Sequence, residues 1–209
     1  MPDSFDIRRG RSCPPCPPCR CDRDGDRRND RHTFFEVIAM KELKSYTIAG
    51  IFFVLILGCL SHFFYEWSGS NFIVGLLSPV NESTWEHIKL LYFPMLLYSL
   101  IAIPTQKSDY PCITSAFAAG ILIGVLLIPV LFYTYTGILG YNVLALDIGT
   151  FVLSVVLSFY FIYRFTLTCR FQNFACLLWI VICLLGISFM MFSYCPPDIG
   201  LFADPTAIS

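Results

Sequence analysis

Charge is scarce along most of this chain, and its distribution is uneven. Only 14% of the 209 residues are Asp, Glu, Lys or Arg, and the last 39 contain no Lys or Arg. Ten of the fourteen basic residues precede residue 45, which leaves the remainder without the basic surface a phosphate backbone requires and argues against nucleic-acid binding. Catalytic signatures are missing too. There is no Gly-rich phosphate loop, dinucleotide fingerprint, His-Glu-x-x-His pair or Gly-x-Ser-x-Gly turn. Ser61 beside His62, and Ser83 four residues before His87, therefore lack the frame that nucleophilic catalysis uses.

What is abundant is apolar sequence. Hydrophobic residues make up 56% of the chain and mean hydropathy is +0.66, outside the range of an ordinary soluble domain. Five apolar runs stand out, at about residues 46–65, 84–103, 113–135, 143–163 and 171–194. Each can cross a hydrocarbon core of about 30 Å as a helix, and lipid-exposed backbone must satisfy its own hydrogen bonds. The expected fold class is all-α, a polytopic bundle of five transmembrane helices in a lipid bilayer. Lys41, Lys44, Lys107, Arg164 and Arg170 fall at alternate span ends, which predicts an inside N-terminus and an outside C-terminus.

Residues 1–39 read differently, as a disordered head rich in Arg, Asp, Cys and Pro. Within Cys13-Pro14-Pro15-Cys16-Pro17-Pro18-Cys19-Arg20-Cys21 the two-residue spacers suit tetrahedral zinc. The proline pairs oppose this, because a polyproline II rod separates successive cysteines by roughly 9 Å. Translation starting at Met40 is the favoured explanation of the head, since it leaves a short basic segment before the first span. Ile56-Leu57-Gly58-Cys59 resembles a lipoprotein cleavage box, yet bulky Leu57 and the apolar residues that follow favour an uncleaved span. Cys59, Cys176 and Cys183 lie within spans, Cys112 and Cys169 near the inside and Cys195 near the outside, so no disulfide framework is expected. Residues 196–209 form a short outer tail. Asn81-Glu82-Ser83 matches a glycosylation pattern, but a common one that lies close to the membrane.

Two small-residue stripes suggest how spans pack. Ala116, Gly120 and Gly124 share one face of the third span, and Thr150, Ser154 and Ser158 share one face of the fourth. Pro94 and Pro129 are expected to kink the second and third spans.

The ionisable residues converge on one depth. Ser78 can cap the second span with Pro79 in its first turn, which sets Glu82, Glu86 and Lys89 on one face and turns His87 about 100° away from Glu86. Trp85, Glu86, His87 and Lys89 then lie just inside the outer hydrocarbon edge, where ionisable groups pair, snorkel or line a wet cavity. His62 and Glu66 are four residues apart at the end of the first span, beside Trp67, and Asp147 enters the fourth span in the same layer. Candidate residues for a ligand or proton site are His62, Glu66, Trp67, Asn81, Glu82, Trp85, Glu86, His87, Lys89, Tyr135 and Asp147. Three readings stand. His62, Glu66, Glu86 and His87 can supply imidazole and carboxylate ligands to a divalent metal such as zinc or manganese. Glu86, His87 and Asp147 can relay protons. Or Glu86 simply pairs with Lys89 while Glu66 and Glu82 face water.

His62-Phe63-Phe64-Tyr65-Glu66-Trp67-Ser68-Gly69, Leu77-Ser78-Pro79-Val80-Asn81-Glu82-Ser83-Thr84-Trp85-Glu86-His87-Ile88-Lys89-Leu90-Leu91-Tyr92-Phe93-Pro94 and Phe132-Tyr133-Thr134-Tyr135-Thr136-Gly137-Ile138-Leu139-Gly140 resemble a bacterial family of small multi-pass membrane proteins, domain-of-unknown-function family 6512. The likeness covers about residues 40–195 and implies a protein of the inner or plasma membrane, with no activity attached. The expected role is transport, sensing or small-ligand binding at the outer polar site. The alternatives are a membrane-embedded metal-dependent enzyme and a structural partner that assembles with itself or another membrane protein.

Overall fold

The computed structural model describes residues 23–203, and their side chains from Met40 onward. The Cys13 to Cys21 motif lies outside the described residues. The chain divides into two compact units, Met1–Ile38 and Ala39–Ser209. In the first, the described backbone is helical from Arg23, so the helix reaches back into a segment whose composition points to disorder. All the contacts below belong to the second unit.

Six α-helices follow one another among the described residues: α1 Arg23–Trp67, α2 Phe72–Leu77, α3 Thr84–Gln106, α4 Ile113–Leu139, α5 Leu144–Thr168 and α6 Ala175–Phe192. A 3₁₀ turn, Gln172–Phe174, leads into α6. No strand occurs among the described residues, and the class is all-α. Among the described residues, five helical stretches are long and apolar enough to cross a membrane: Met40–Trp67, Thr84–Gln106, Ile113–Leu139, Leu144–Thr168 and Gln172–Phe192. α3 and α4 run unbroken through Pro94 and Pro129. α4 stops where Gly140 takes φ 79° and returns its N–H to the Thr136 carbonyl, a left-handed cap that glycine adopts without strain.

α3 and α4 form the centre, with 56% of the most apolar stretch of each buried, against 17–28% for the other three spans. Val54, Leu91, Met95, Ala116, Ile121 and Val155 fill the core. Large apolar residues such as Phe52, Ile56, Leu100, Leu126 and Leu184 face outward. So much exposed apolar surface suits lipid, not water.

α4 and α5 pack closely along their length, and the small residues explain it. A Cβ on Gly120 would strike Ile162 and lie 3.1 Å from the Ser158 carbonyl, while one on Gly124 would strike the Ser158 hydroxyl. Ala116, Ser154 and Ser158 are buried, and Thr150 is partly so and bonds back to the Asp147 carbonyl. α1 uses a further stripe of the same kind. Gly50, Val54 and Gly58 are all buried, and a Cβ on Gly58 would come within 2.7 Å of the Leu90 carbonyl in α3. Polar ties complete the bundle: the Tyr98 phenol donates to the Tyr46 carbonyl at 2.6 Å, and Tyr92 to that of Ile182 at 2.7 Å.

One expectation is overturned here. Cys112 and Cys169, read from sequence as free thiols, are joined in a disulfide with Cα atoms 5.2 Å apart. They flank the tightly packed α4–α5 pair, which brings together residues 57 positions apart in the chain. Lys107, Arg164 and Arg170 lie in or beside the same connections.

Candidate ligand site at the α2 end of the bundle

The opposite end of the bundle is shaped by the link between α1 and α3. Ser78 does not cap α3. It ends α2, where its N–H and hydroxyl both bond to the Val74 carbonyl, and Ser83 takes the cap by accepting from the Glu86 N–H at 3.3 Å. Asn81 accepts from the Ser83 N–H at 3.0 Å and so closes a tight turn before the cap. The short apolar run Phe72–Leu77 folds as a helix of its own, and α3 therefore starts five residues later than a Ser78 cap implies.

Ser83 and Glu86 have capping-box spacing, but only half the box forms. The Glu86 carboxylate turns inward and accepts from the Val80 N–H at 3.0 Å, from Lys89 Nζ at 2.7 Å and from the Ser193 hydroxyl at 3.0 Å. Lys89 is fully buried, and its ammonium also bonds to Ser193 and to the carbonyls of Gly75 at 3.2 Å and Ser78 at 3.5 Å. These carbonyls are the negative end of α2, which a cation stabilises. Gly75 is small by necessity, because a Cβ there would lie 2.7 Å from Val80 and against the Tyr194 hydroxyl. Tyr194 in turn donates to the Phe72 carbonyl at 3.0 Å. Desolvation, with smaller contributions from Tyr65 and Glu86, raises the Tyr194 phenol above its ordinary range and keeps it a donor. The ion pair is sealed, internally neutral and hydrogen-bonded on both sides; it fixes α2 and α6 on α3.

A second polar group opens outward beside it. His62 from α1, Glu82 from the turn and His87 from α3 bring one ligand-type atom each to within 4.8 Å of one another. His62 Nε2 lies 3.6 Å from Glu82 Oε1 and His87 Nε2 lies 3.4 Å from Glu82 Oε2. The imidazole side chains are about a third exposed and the Glu82 side chain about half. His87 Nδ1 sits 2.9 Å from the Ser83 carbonyl. A carbonyl only accepts, so Nδ1 carries the proton and Nε2 faces Glu82. His62 Nδ1 is buried and has no hydrogen-bond partner among the described residues.

The other sequence candidates are distributed around these two groups. Tyr135 donates to the Asp147 carboxylate, and Asp147 is within electrostatic reach of His87. Glu66 is exposed at the end of α1 and is not in the cluster, and Trp67 stacks on Phe63 at the surface. Trp85 packs among Phe189, Phe192 and Phe202. Glu86, one of the carboxylates considered for a metal or a proton relay, belongs to Lys89, whereas Glu82 is the acid that meets the histidines. Ser193 and Gly75 were not visible in sequence as site residues, since a lone serine after a span and a glycine in a short apolar run carry no signal.

The model of a family of unknown function (DUF6512) matches residues 35–208, most of the chain. The chain belongs to that family. No curated protein and no solved structure matches it. Among DUF6512 members, then, this one carries five helices apolar enough for a membrane, a buried Glu–Lys pair and an open His–Glu–His cluster at one end.

Proposed function

We propose that this is a multi-pass protein of the inner or plasma membrane that binds a small cationic ligand at its outer face, in a sensing or transport role, through His62, Glu82 and His87. The observation that carries the reading is the openness of this cluster, next to a Glu86–Lys89 pair whose charges are already matched. Buried charge between helices is a packing device, whereas three partly exposed groups from three separate segments, with ligand-type atoms within 4.8 Å of one another, suit a ligand. Ile88, Leu91, Tyr92 and Met95 are buried in the layer beneath, which favours capture at the face and signalling over passage through the bundle. Sensing is therefore the preferred role. Asp147, held by Tyr135, adds negative charge to the mouth and favours cations over anions.

The test is a thermal-shift panel on the purified full chain, covering protons, divalent metals and small organic amines, with His62→Ala/His87→Ala as comparison. At least one class is expected to raise the unfolding temperature of the parent and not of the variant. Equal responses in both proteins, or none in either, would remove the ligand reading and leave a structural role.

A further inference from the structure

We infer that the ligand is a first-row divalent metal ion of the zinc type, held by His62 Nε2, His87 Nε2 and the Glu82 carboxylate. This deepens the reading above and rests on it.

The spacing is what such an ion needs. Bonds of about 2.0–2.1 Å in a tetrahedron set neighbouring ligand atoms about 3.3–3.4 Å apart. The two histidine nitrogens lie 3.6 and 3.4 Å from the two oxygens of Glu82, so a shared ion can be met through either or both carboxylate oxygens with small side-chain rotations. The ligand-type atoms of His62, Glu82 and His87 all lie within 4.8 Å of one another, and the two imidazole rings are 5.5 Å apart between centroids.

The tautomer suits such an ion. With Nδ1 donating to the Ser83 carbonyl, a neutral His87 turns the bare lone pair of Nε2 toward a carboxylate oxygen. Two lone pairs facing each other repel unless a cation, either a proton on Nε2 or a metal ion, stands between them. A carbonyl bonded to the remote nitrogen is also the arrangement that orients metal-bound imidazoles and makes them better donors. Two imidazoles and one carboxylate favour zinc or a neighbouring transition ion over magnesium or calcium, which prefer all-oxygen shells. Three protein ligands leave a fourth position open to the outer solvent, from which the ion can arrive and leave.

The experiment uses the full chain with Cys13, Cys16, Cys19 and Cys21 replaced by Ser, so that no thiol of the head contributes. Zinc is loaded, excess is removed, and retained metal is counted by mass spectrometry, with cobalt substitution read by its visible spectrum. One equivalent per chain is expected, with a tetrahedral nitrogen–oxygen cobalt spectrum. His62→Ala, His87→Ala and Glu82→Gln should each weaken affinity at least about 100-fold, beyond the 10–100-fold typical of an outer-shell change. Glu66→Gln should leave it unchanged. Glu82→Gln keeps the shape of the side chain on a surface turn, and circular dichroism and gel filtration of every variant separate lost ligation from lost folding. Absence of retained zinc and cobalt, or equal retention in the three ligand variants, would overturn the inference. In the first case a surviving amine or proton response that depends on His62 and His87 would preserve the ligand reading, whereas loss of every response would remove both.

Discussion

Glu86 and His87 are adjacent in the chain yet belong to regions of opposite character. One residue along a helix is a rotation of about 100°, and at this end of α3 it separates the interior from the mouth. Glu86 enters a closed set of bonds with Lys89, Ser193 and the Val80 N–H, while His87 looks across at Glu82 and His62. The difference teaches where charge in a membrane helix does structural work and where it is available for chemistry. The Glu86–Lys89 pair is closed off by bonds from within the protein; the His62–Glu82–His87 group is partly open to solvent.

The largest expected effect comes from opening the sealed pair. Lys89→Met leaves Glu86 buried without its partner and should lower stability by about 3–5 kcal/mol, read from unfolding of the purified protein in detergent. Glu86→Gln/Lys89→Met, which removes both charges, should cost clearly less. If the single and double variants unfold alike, the pair is not the closed unit described.

Next in size is the far end of the bundle. Reducing Cys112–Cys169 should cost about 2–4 kcal/mol and leave the ligand response intact, because the bond lies at the other end of the helices. The location of this bond also tests orientation. The expectation from Lys107, Arg164 and Arg170 puts this same end in the cytoplasm, where thiols are kept reduced. Maleimide labelling of Cys112 and Cys169 in intact and permeabilised cells shows which side they occupy and whether they are bonded there.

Gly120→Leu follows, with an expected loss of about 1–3 kcal/mol as the new side chain drives α4 away from Ile162 and Ser158. The smallest effect belongs to the open cluster. Without metal, Glu82→Gln should change stability by less than about 1 kcal/mol, since an exposed pair contributes little. A loss comparable to that of Lys89→Met would make the cluster a structural element and erase the contrast with the sealed pair.

Much of this was legible in sequence, for physical reasons that also mark the limit. Hydropathy locates α1 and α3–α6 because a bilayer demands long uniform runs; α3, α4 and α5 continue three to five residues past those runs and α6 stops short of its own. His62, Glu82 and His87 stand out because ionisable groups at that depth are rare. Which acid faces the histidines did not follow, because it depends on where α3 begins. A Ser78 cap puts Glu82 on the helix in line with Glu86, whereas the Ser83 cap leaves Glu82 on the turn, free of that register. The disulfide was hidden for a related reason, as nothing in the spacing of Cys112 and Cys169 announces that α4 and α5 close upon each other.

That bond has a covalent consequence for the α4–α5 hairpin. The hairpin turns at Gly140 to Val143, where Gly140, Tyr141 and Asn142 are exposed. A protease that cuts there breaks the polypeptide but not the molecule, because Cys112 and Cys169 still tie the two helices of the hairpin at their far ends. Nicked protein should run as a single band without reductant and as two with it, so that the same cut is silent or severing according to the redox state of the opposite face.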